Sequence, residues 1–169
     1  MLAGGRSRRF GADKALHEVD GKPLIGHVAA ALAPQVELLM VSGREWGGLP
    51  VLDDMPGPGL GPLGGLAAAL CHANGQSFDA VLTAPCDTLG LPADLAKRLG
   101  TPPAVIEDQW LAGLWQPEMG AGLLHWLDSG GSRAVGDWLR SQDVRRVSCA
   151  GLRNVNHPED GCSLSSPHF

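Results

Sequence analysis

The chain has 169 residues, 44% of them hydrophobic and 18% charged, with a formal net charge of -5. Such a chain forms one globular domain that can bury a core without disulfide or metal staples. The acidic balance argues against non-specific nucleic-acid binding, and no apolar run approaches the ~20 residues of a membrane span.

In chain order, residues 1–3 read as the end of a strand, followed by a glycine- and arginine-rich loop through Asp13. Residues 22–33 are apolar at helical spacing (Leu24, Ile25, Val28, Ala29, Leu32), and Pro34 stops that helix. Residues 36–41 read as a buried strand, and Val51-Leu52 as another. A Gly/Pro loop over 55–62 leads into Leu63, Leu66, Ala67 and Leu70, a clean i, i+3, i+4, i+7 helical stripe. Residues 78–84 read as a strand with Pro85-Cys86-Asp87-Thr88 at its C-terminal end. A short helix over 93–99, strands over 104–106 and 111–115, helices around 119–127 and 134–139, and a last strand over 144–147 complete the pattern. Apolar strands alternating with helices predict a mostly parallel sheet covered on both faces. Ligands of such sheets bind beyond the carboxyl ends of the strands. That places residues 4–14, 42–44, Asp53-Asp54 and Asp87 at the candidate site. There is no internal repeat and no linker.

The first loop reads Leu2-Ala3-Gly4-Gly5-Arg6-Ser7-Arg8-Arg9-Phe10-Gly11-Ala12-Asp13-Lys14. Gly4 and Gly5 let backbone approach a ligand where a Cβ would collide, and their N–H groups suit phosphate oxygens. Arg6, Arg8, Arg9 and Lys14 add cations for a polyphosphate. The spacing is neither that of the P-loop nor G-x-G-x-x-G. The competing reading is a surface turn with solvated arginines. Asp87, just past a strand, suits Mg²⁺, which takes one or two carboxylates and completes its shell with phosphate and water; a turn aspartate is the alternative. Asp53 and Asp54 end another strand and suit a base, a ribose or the same metal, or simply a turn. Gly61-Pro62-Leu63-Gly64-Gly65 opens a helix and suits either a flat ring lying on backbone or close helix–sheet packing. Asn154 and Asn156 alternate, offering amide groups to one side, or form an Asx turn before Pro158. Trp46, Trp110, Trp115, Trp126 and Trp138 read as core or rim, with a pocket wall the alternative for Trp115. No histidine spacing suggests catalysis. Cys71, Cys86, Cys149 and Cys162 form no C-x-x-C, which argues against zinc and suggests reduced thiols of a cytosolic protein. No signal-peptide pattern is visible, so the expected location is cytoplasmic.

These motifs, in this order, resemble the molybdenum cofactor guanylyltransferase family: Leu2-Ala3-Gly4-Gly5-x-Ser7-x-Arg9-Phe10-Gly11-x-Asp13-Lys14-Ala15-Leu16, Gly61-Pro62-Leu63-Gly64-Gly65, Pro85-Cys86-Asp87-Thr88 and Asn154-Val155-Asn156-His157-Pro158-Glu159-Asp160. The resemblance implies a three-layer α/β/α Rossmann-like nucleotidyltransferase fold with a mostly parallel sheet. It implies transfer of GMP from GTP to molybdenum-bearing molybdopterin, releasing pyrophosphate, with Mg²⁺. Carried over by motif, Leu2, Ala3, Gly4, Lys14, Asp54 and Asp87 contact the nucleotide. Lys14 and Asp87 are the catalytic candidates, and Asp87 holds the metal. Family members often carry Asn where Ser42 stands, and Asn154 and Asn156 fall towards the pterin. Relatives have a full strand before the Leu-Ala-Gly-Gly motif, where Met1 alone stands here, so a truncated central strand is expected. The whole of 1–169 is expected to be one domain, with 161–169 a disordered or atypical tail. Molybdoenzymes or their chaperones are expected further partners, and nucleic acid and membrane are not. Rival readings are a CTP-dependent cytidylyltransferase on the same pterin, a sugar-phosphate nucleotidyltransferase, and an inactive nucleotide-binding homologue. Gly5 favours guanine by resemblance, since the cytidine branch tends to read Leu-Ala-Ala-Gly.

Overall fold

The computed structural model describes residues 1–4, 13–155 and 160. A hairpin of β1 (Glu18–Val19) and β2 (Lys22–Pro23) precedes helix α1 (Leu24–Leu32). The helix begins later than residue 22 because Lys22 pairs with Val19 and Pro23, lacking an N–H, takes the N-cap position. It buries Leu24, Ile25, Val28, Ala29 and Leu32 along one stripe, then tightens into a 3-10 turn that accommodates Pro34.

Strands β3 (Val41–Ser42) and β4 (Val51–Leu52) pair in parallel. Helix α2 (Pro62–Gly75) follows, with Pro62 at its first position and Gly61 at φ +67°, a left-handed conformation that glycine adopts without steric cost. Next come β5 (Val81–Thr83), β6 (Thr88–Leu89), α3 (Leu95–Leu99), β7 (Ala104–Ile106) and β8 (Gln109–Trp115). Helices α4 (Met119–Asp128) and α5 (Val135–Arg140) and strands β9 (Arg145–Val147) and β10 (Arg153–Asn154) complete the described chain.

A four-stranded sheet runs β5-β8-β7-β9, and β3-β4 lies beside it. Leu2 joins the two through parallel bridges to Ser42 on one side and Pro85 on the other. The combined sheet is parallel except for β8, which runs antiparallel to both β5 and β7. The connection from Ile106 to Gln109 is too short for a crossover and returns as a hairpin, which forces the reversal. Another antiparallel pair, β10 with β6, was not visible in the residue pattern because each strand is two residues long.

Helices cover both faces, giving three layers. Ala104 and Ile106 of β7 pack with Ile25 and Val28 of α1 and with Leu95 and Leu99 of α3. The intervening Val105 points the other way, to Leu66 and Leu70 of α2, Leu123 of α4 and Trp138 of α5. Trp115 is fully buried there, its ring 5.6 Å from that of Trp138 and its indole N–H donating to Thr83 Oγ1 at 2.7 Å. It is therefore a core residue, as read, and the alternative of a pocket wall falls: two large rings fill this layer, and the indole N–H has its partner inside it.

The Met1 amine is enclosed by protein and donates to the Met40 carbonyl at 2.7 Å. Burial pushes it down to about 6 from its ordinary 8.0, with Cys86 acting in the opposite direction. The folded amine thus holds its proton more weakly than the unfolded one. Stability from this group rises as pH climbs from about 6 to about 8, and the penalty is fully present below that window. Two pH units correspond to about 2–3 kcal/mol. Urea denaturation of Nα-acetylated and unmodified chains should show a stability gap that is widest below pH 6 and closes above pH 8. A gap that does not change with pH contradicts this account.

Candidate nucleotide site

The carboxyl ends of the central strands meet at Leu2. Its N–H donates to the Ala84 carbonyl at 2.9 Å, and its own carbonyl accepts from the Cys86 N–H at 3.0 Å. On the other side Ala3 N–H donates to the Ser42 carbonyl at 2.9 Å, and Ser42 N–H to the Met1 carbonyl at 2.9 Å. This ladder delivers Gly4, the loop after β3 and the loop after β5 to one rim. The rim encloses a cavity of about 200 Å³ that includes Leu2, Ala3, Gly4, Lys14, Asp54 and Asp87 in its lining. All six nucleotide-contact candidates therefore face one space.

Lys14 and Asp87 meet directly: the ammonium donates to Asp87 Oδ2 at 2.7 Å, with the side chains 14% and 26% exposed. Residues 73 positions apart are paired at the edge of solvent, each with a side still open to the cavity. Both partners line the cavity, so a polyphosphate or a cation entering it can compete for either one. Lys14 opens a 3-10 turn (Lys14–Leu16) capped by Asp13, whose side chain accepts from the Ala15 N–H at 3.2 Å.

A second ion pair closes the rim. Arg44 donates to both Asp13 carboxylate oxygens, at 2.6 and 2.5 Å. The guanidinium holds the Asp13 carboxyl below the usual carboxylate range. The bidentate fork ties the loop after β3 to the turn that carries Lys14. Arg44 lies in the loop singled out after the strand, but its role was not legible because its partner lies 31 residues away.

Asp54 and Asp53 separate. Asp54 is half-buried, lines the cavity and accepts from Ser42 Oγ at 3.0 Å, whereas Asp53 is exposed. Adjacent residues leaving a strand point to opposite sides, which decides between them. Ser42 is buried and spends its hydroxyl on orienting Asp54. Cys86 lines the same cavity, but burial and the neighbouring Asp87 push its thiol up to about 11. It is a neutral thiol at pH 7 and not a nucleophile.

The glycines of the α2 entry are explained by packing. A Cβ on Gly65 would lie 2.4 Å from Ser42 Oγ, and one on Gly64 would lie 3.1 Å from Asp54 Cβ. The helix N-terminus thus sits hard against the residues that orient Asp54, and Gly61, Pro62 and Gly65 form the cavity wall on that side. Asn154 is carried by β10; its Oδ1 accepts from Thr88 Oγ1 at 3.0 Å, tying it next to Asp87 in the chain. Gly5, Arg6, Arg8, Arg9, Gly11, Asn156 and the tail 161–169 lie outside the described residues. Among the described residues, no group of three metal-binding side chains gathers, and Cys71, Cys86 and Cys149 are free thiols.

The model of the MobA-like NTP transferase domain matches residues 1–143. The chain belongs to this family. Curated relatives named molybdenum cofactor guanylyltransferase include one from Rhodobacter capsulatus, 45% identical over 69% of this chain and 66% of its own length. Another, from Cereibacter sphaeroides, is 38% identical over 95% of this chain and 91% of the relative. The crystal structure of molybdopterin-guanine dinucleotide biosynthesis protein A from Archaeoglobus fulgidus superposes with a TM-score of 0.74 at 21% identity, covering 95% of this chain and 92% of that one. That likeness concerns the fold, and it agrees with the three-layer arrangement described above. No described helix is long and apolar enough to cross a membrane.

In this MobA-like domain, the close approach of Gly4 and Gly43 holds the rim. A Cβ on Gly43 would fall 2.3 Å from Gly4 Cα, and its φ is +89°. Gly43→Ala should therefore destabilise the fold by roughly 2–4 kcal/mol, combining backbone strain with displacement of the Gly4 loop. Thermal unfolding measures this, and an unchanged midpoint contradicts the packing described.

Proposed function

We propose that this chain transfers the GMP moiety of GTP to molybdopterin carrying molybdenum, forming the guanine dinucleotide form of the cofactor and pyrophosphate. The observation that carries the reading is the convergence of Lys14, Asp87, Asp54 and the Leu2-Ala3-Gly4 backbone on one cavity. The relatives' printed name supplies the guanylyl group and the molybdenum cofactor.

A terminal phosphate oxygen of molybdopterin attacks the α-phosphorus of GTP in line. A new P–O bond forms as the α–β bridging bond breaks, and pyrophosphate leaves. Such a reaction needs positioning and charge neutralisation more than covalent protein chemistry. Gly4 brings backbone close to the triphosphate, and Lys14, leaving Asp87, neutralises its charge. Asp54, fixed by Ser42, suits a hydroxyl or an N–H of the nucleoside. The Asp13–Arg44 fork positions Lys14.

Asp87 is the residue that would hold Mg²⁺. One cavity-facing carboxylate, with a second at Asp54, fits a cation that draws most of its ligands from phosphate and water. The ion would supply further charge neutralisation at the phosphates. A location in the cytoplasm, and further contacts with molybdoenzymes or their chaperones, remain expectations of the family resemblance.

Asp87→Ala should abolish pyrophosphate release from GTP and molybdopterin while leaving the thermal midpoint within a few degrees. Wild-type turnover in that variant removes Asp87 from the mechanism. Lys14→Ala should weaken GTP binding by about 10- to 100-fold, the loss of one charge-assisted contact. Calorimetric titration reads that affinity, and an unchanged value counts against Lys14. Parallel turnover assays should give release with GTP well above that with CTP. Equal or inverted rates select the cytidylyl reading, turnover only with a sugar phosphate selects the sugar-phosphate reading, and GTP binding without turnover selects the inactive one.

A further inference from the structure

Strand β8 breaks step with β7 at the rim of the candidate site. Val105 pairs with Gly113, yet the next residue of β7, Ile106, pairs with Gln109, so Trp110, Leu111 and Ala112 lie in a β-bulge. The bulge changes where side chains point. Ala112 and Leu114 pack into the core beneath α1 and α3, and Trp115 into the core beneath α2, α4 and α5. Alternation counted back from Trp115 puts Leu111 on the α2 face. Trp110 is on that face too, because its ring lies against Gly136 of α5. Two consecutive residues thus share one face, which an unbroken strand forbids. The bulge is fastened to the core: the Leu111 carbonyl accepts from the buried Thr83 hydroxyl at 2.8 Å, and that oxygen accepts from the Trp115 indole N–H at 2.7 Å.

The two residues divide the surface between them. Leu111 lines the candidate nucleotide cavity. Trp110, next to it, stays 37% exposed. It is nevertheless held on three sides. Its N–H donates to the Glu107 carbonyl at 2.6 Å, a Cβ on Gly136 would fall 2.6 Å from its ring, and the Arg146 guanidinium lies 5.9 Å from its ring centre. Arg146 projects from the exposed end of β9, and among the described residues it has no carboxylate partner. A fixed, exposed indole offers contact area at little entropic cost, and an unpaired arginine beside it favours an anion.

In the in-line transfer proposed above, the acceptor's terminal phosphate enters the cavity, so the rest of the acceptor must lie on a surface continuous with it. Leu111 supplies that continuity. Resting on the transferase reading, we infer that Trp110 and Arg146 are acceptor-binding residues. The ring system of the pterin lies on the exposed part of the indole, and the guanidinium meets an anionic group of the same molecule. The bulge is the device that turns Trp110 to the cavity side of the sheet. The nucleotide is held elsewhere, by Gly4, Lys14, Asp54 and Asp87.

Anaerobic equilibrium binding of molybdopterin, without GTP, tests the assignment directly. Trp110→Ala should weaken binding about 10- to 100-fold, the loss of one stacked ring. Trp110→Phe, which keeps a ring, should stay within about 5-fold of the unsubstituted chain. Arg146→Gln should weaken binding about 3- to 10-fold. GTP affinity, read by calorimetry, should stay within about 2-fold in all three, since the two sites are separate. In turnover, the KM for molybdopterin should rise while kcat is little changed. Molybdopterin binding that is unchanged in Trp110→Ala, or that falls only together with GTP affinity, overturns the assignment. If Trp110→Ala lowers the thermal midpoint, Arg146→Gln, at an exposed residue, carries the test, and unchanged binding there overturns it equally. So does an unsubstituted chain that binds no molybdopterin. Failure of the transferase reading looks different: molybdopterin bound through Trp110, with no pyrophosphate released from GTP.

Discussion

The backbone of Leu2 is the pivot of the molecule. Its two hydrogen bonds to Ala84 and Cys86, with those of Met1 and Ala3 to Ser42, are the seam between β3-β4 and the four-stranded sheet. Everything at the candidate site depends on that seam. It fixes Gly4 against Gly43, sets Cys86 and therefore Asp87 at the rim, and holds Ser42 where its hydroxyl reaches Asp54. A backbone ladder is well suited to this, because it positions groups without reference to side-chain rotamers. The chemistry-bearing residues inherit their geometry from it.

The same seam separates two cavities of opposite character. Beyond the carboxyl ends of the strands lies the smaller one, rimmed by Lys14, Asp87, Asp13, Arg44 and Asp54. Toward the amino ends lies the larger one, walled mainly by Leu, Val, Ala and Met. The polar rim is internally balanced: Lys14 is matched by Asp87, and Arg44 by Asp13. The significance of these pairs is that both signs of charge are held ready at one rim, where a polyanion and a cation can each take a partner. Cys86, between these charges, is kept neutral by burial and by Asp87.

Glycine is used here for proximity more than for flexibility. Gly65 lets α2 approach Ser42, and Gly64 lets it approach Asp54, so that the helix entry buttresses the carboxylate. The residue pattern left a flat ligand and close packing equally open at this helix. The distances favour packing, and Gly61, Pro62 and Gly65 are left at the cavity wall.

Residue order alone determined the helical stripes of α1 and α2, the alternation of strand and helix, and the choice of residues 4–14 as a candidate site. It did so because these are local patterns, with apolar spacing and glycine and lysine placement all read within about fifteen residues. Tertiary structure decided which strands found partners. Residues 36–40 carry strand-like side chains, yet only Val41 and Ser42 enter a ladder, since a strand exists only where a neighbour supplies hydrogen bonds. It decided that β8 reverses and that Asp54 and not Asp53 faces the cavity. It also paired Asp13 with Arg44 and Lys14 with Asp87. Each of these depends on groups tens of residues apart being brought within 3 Å, which no pattern in the chain encodes until the sheet assembles.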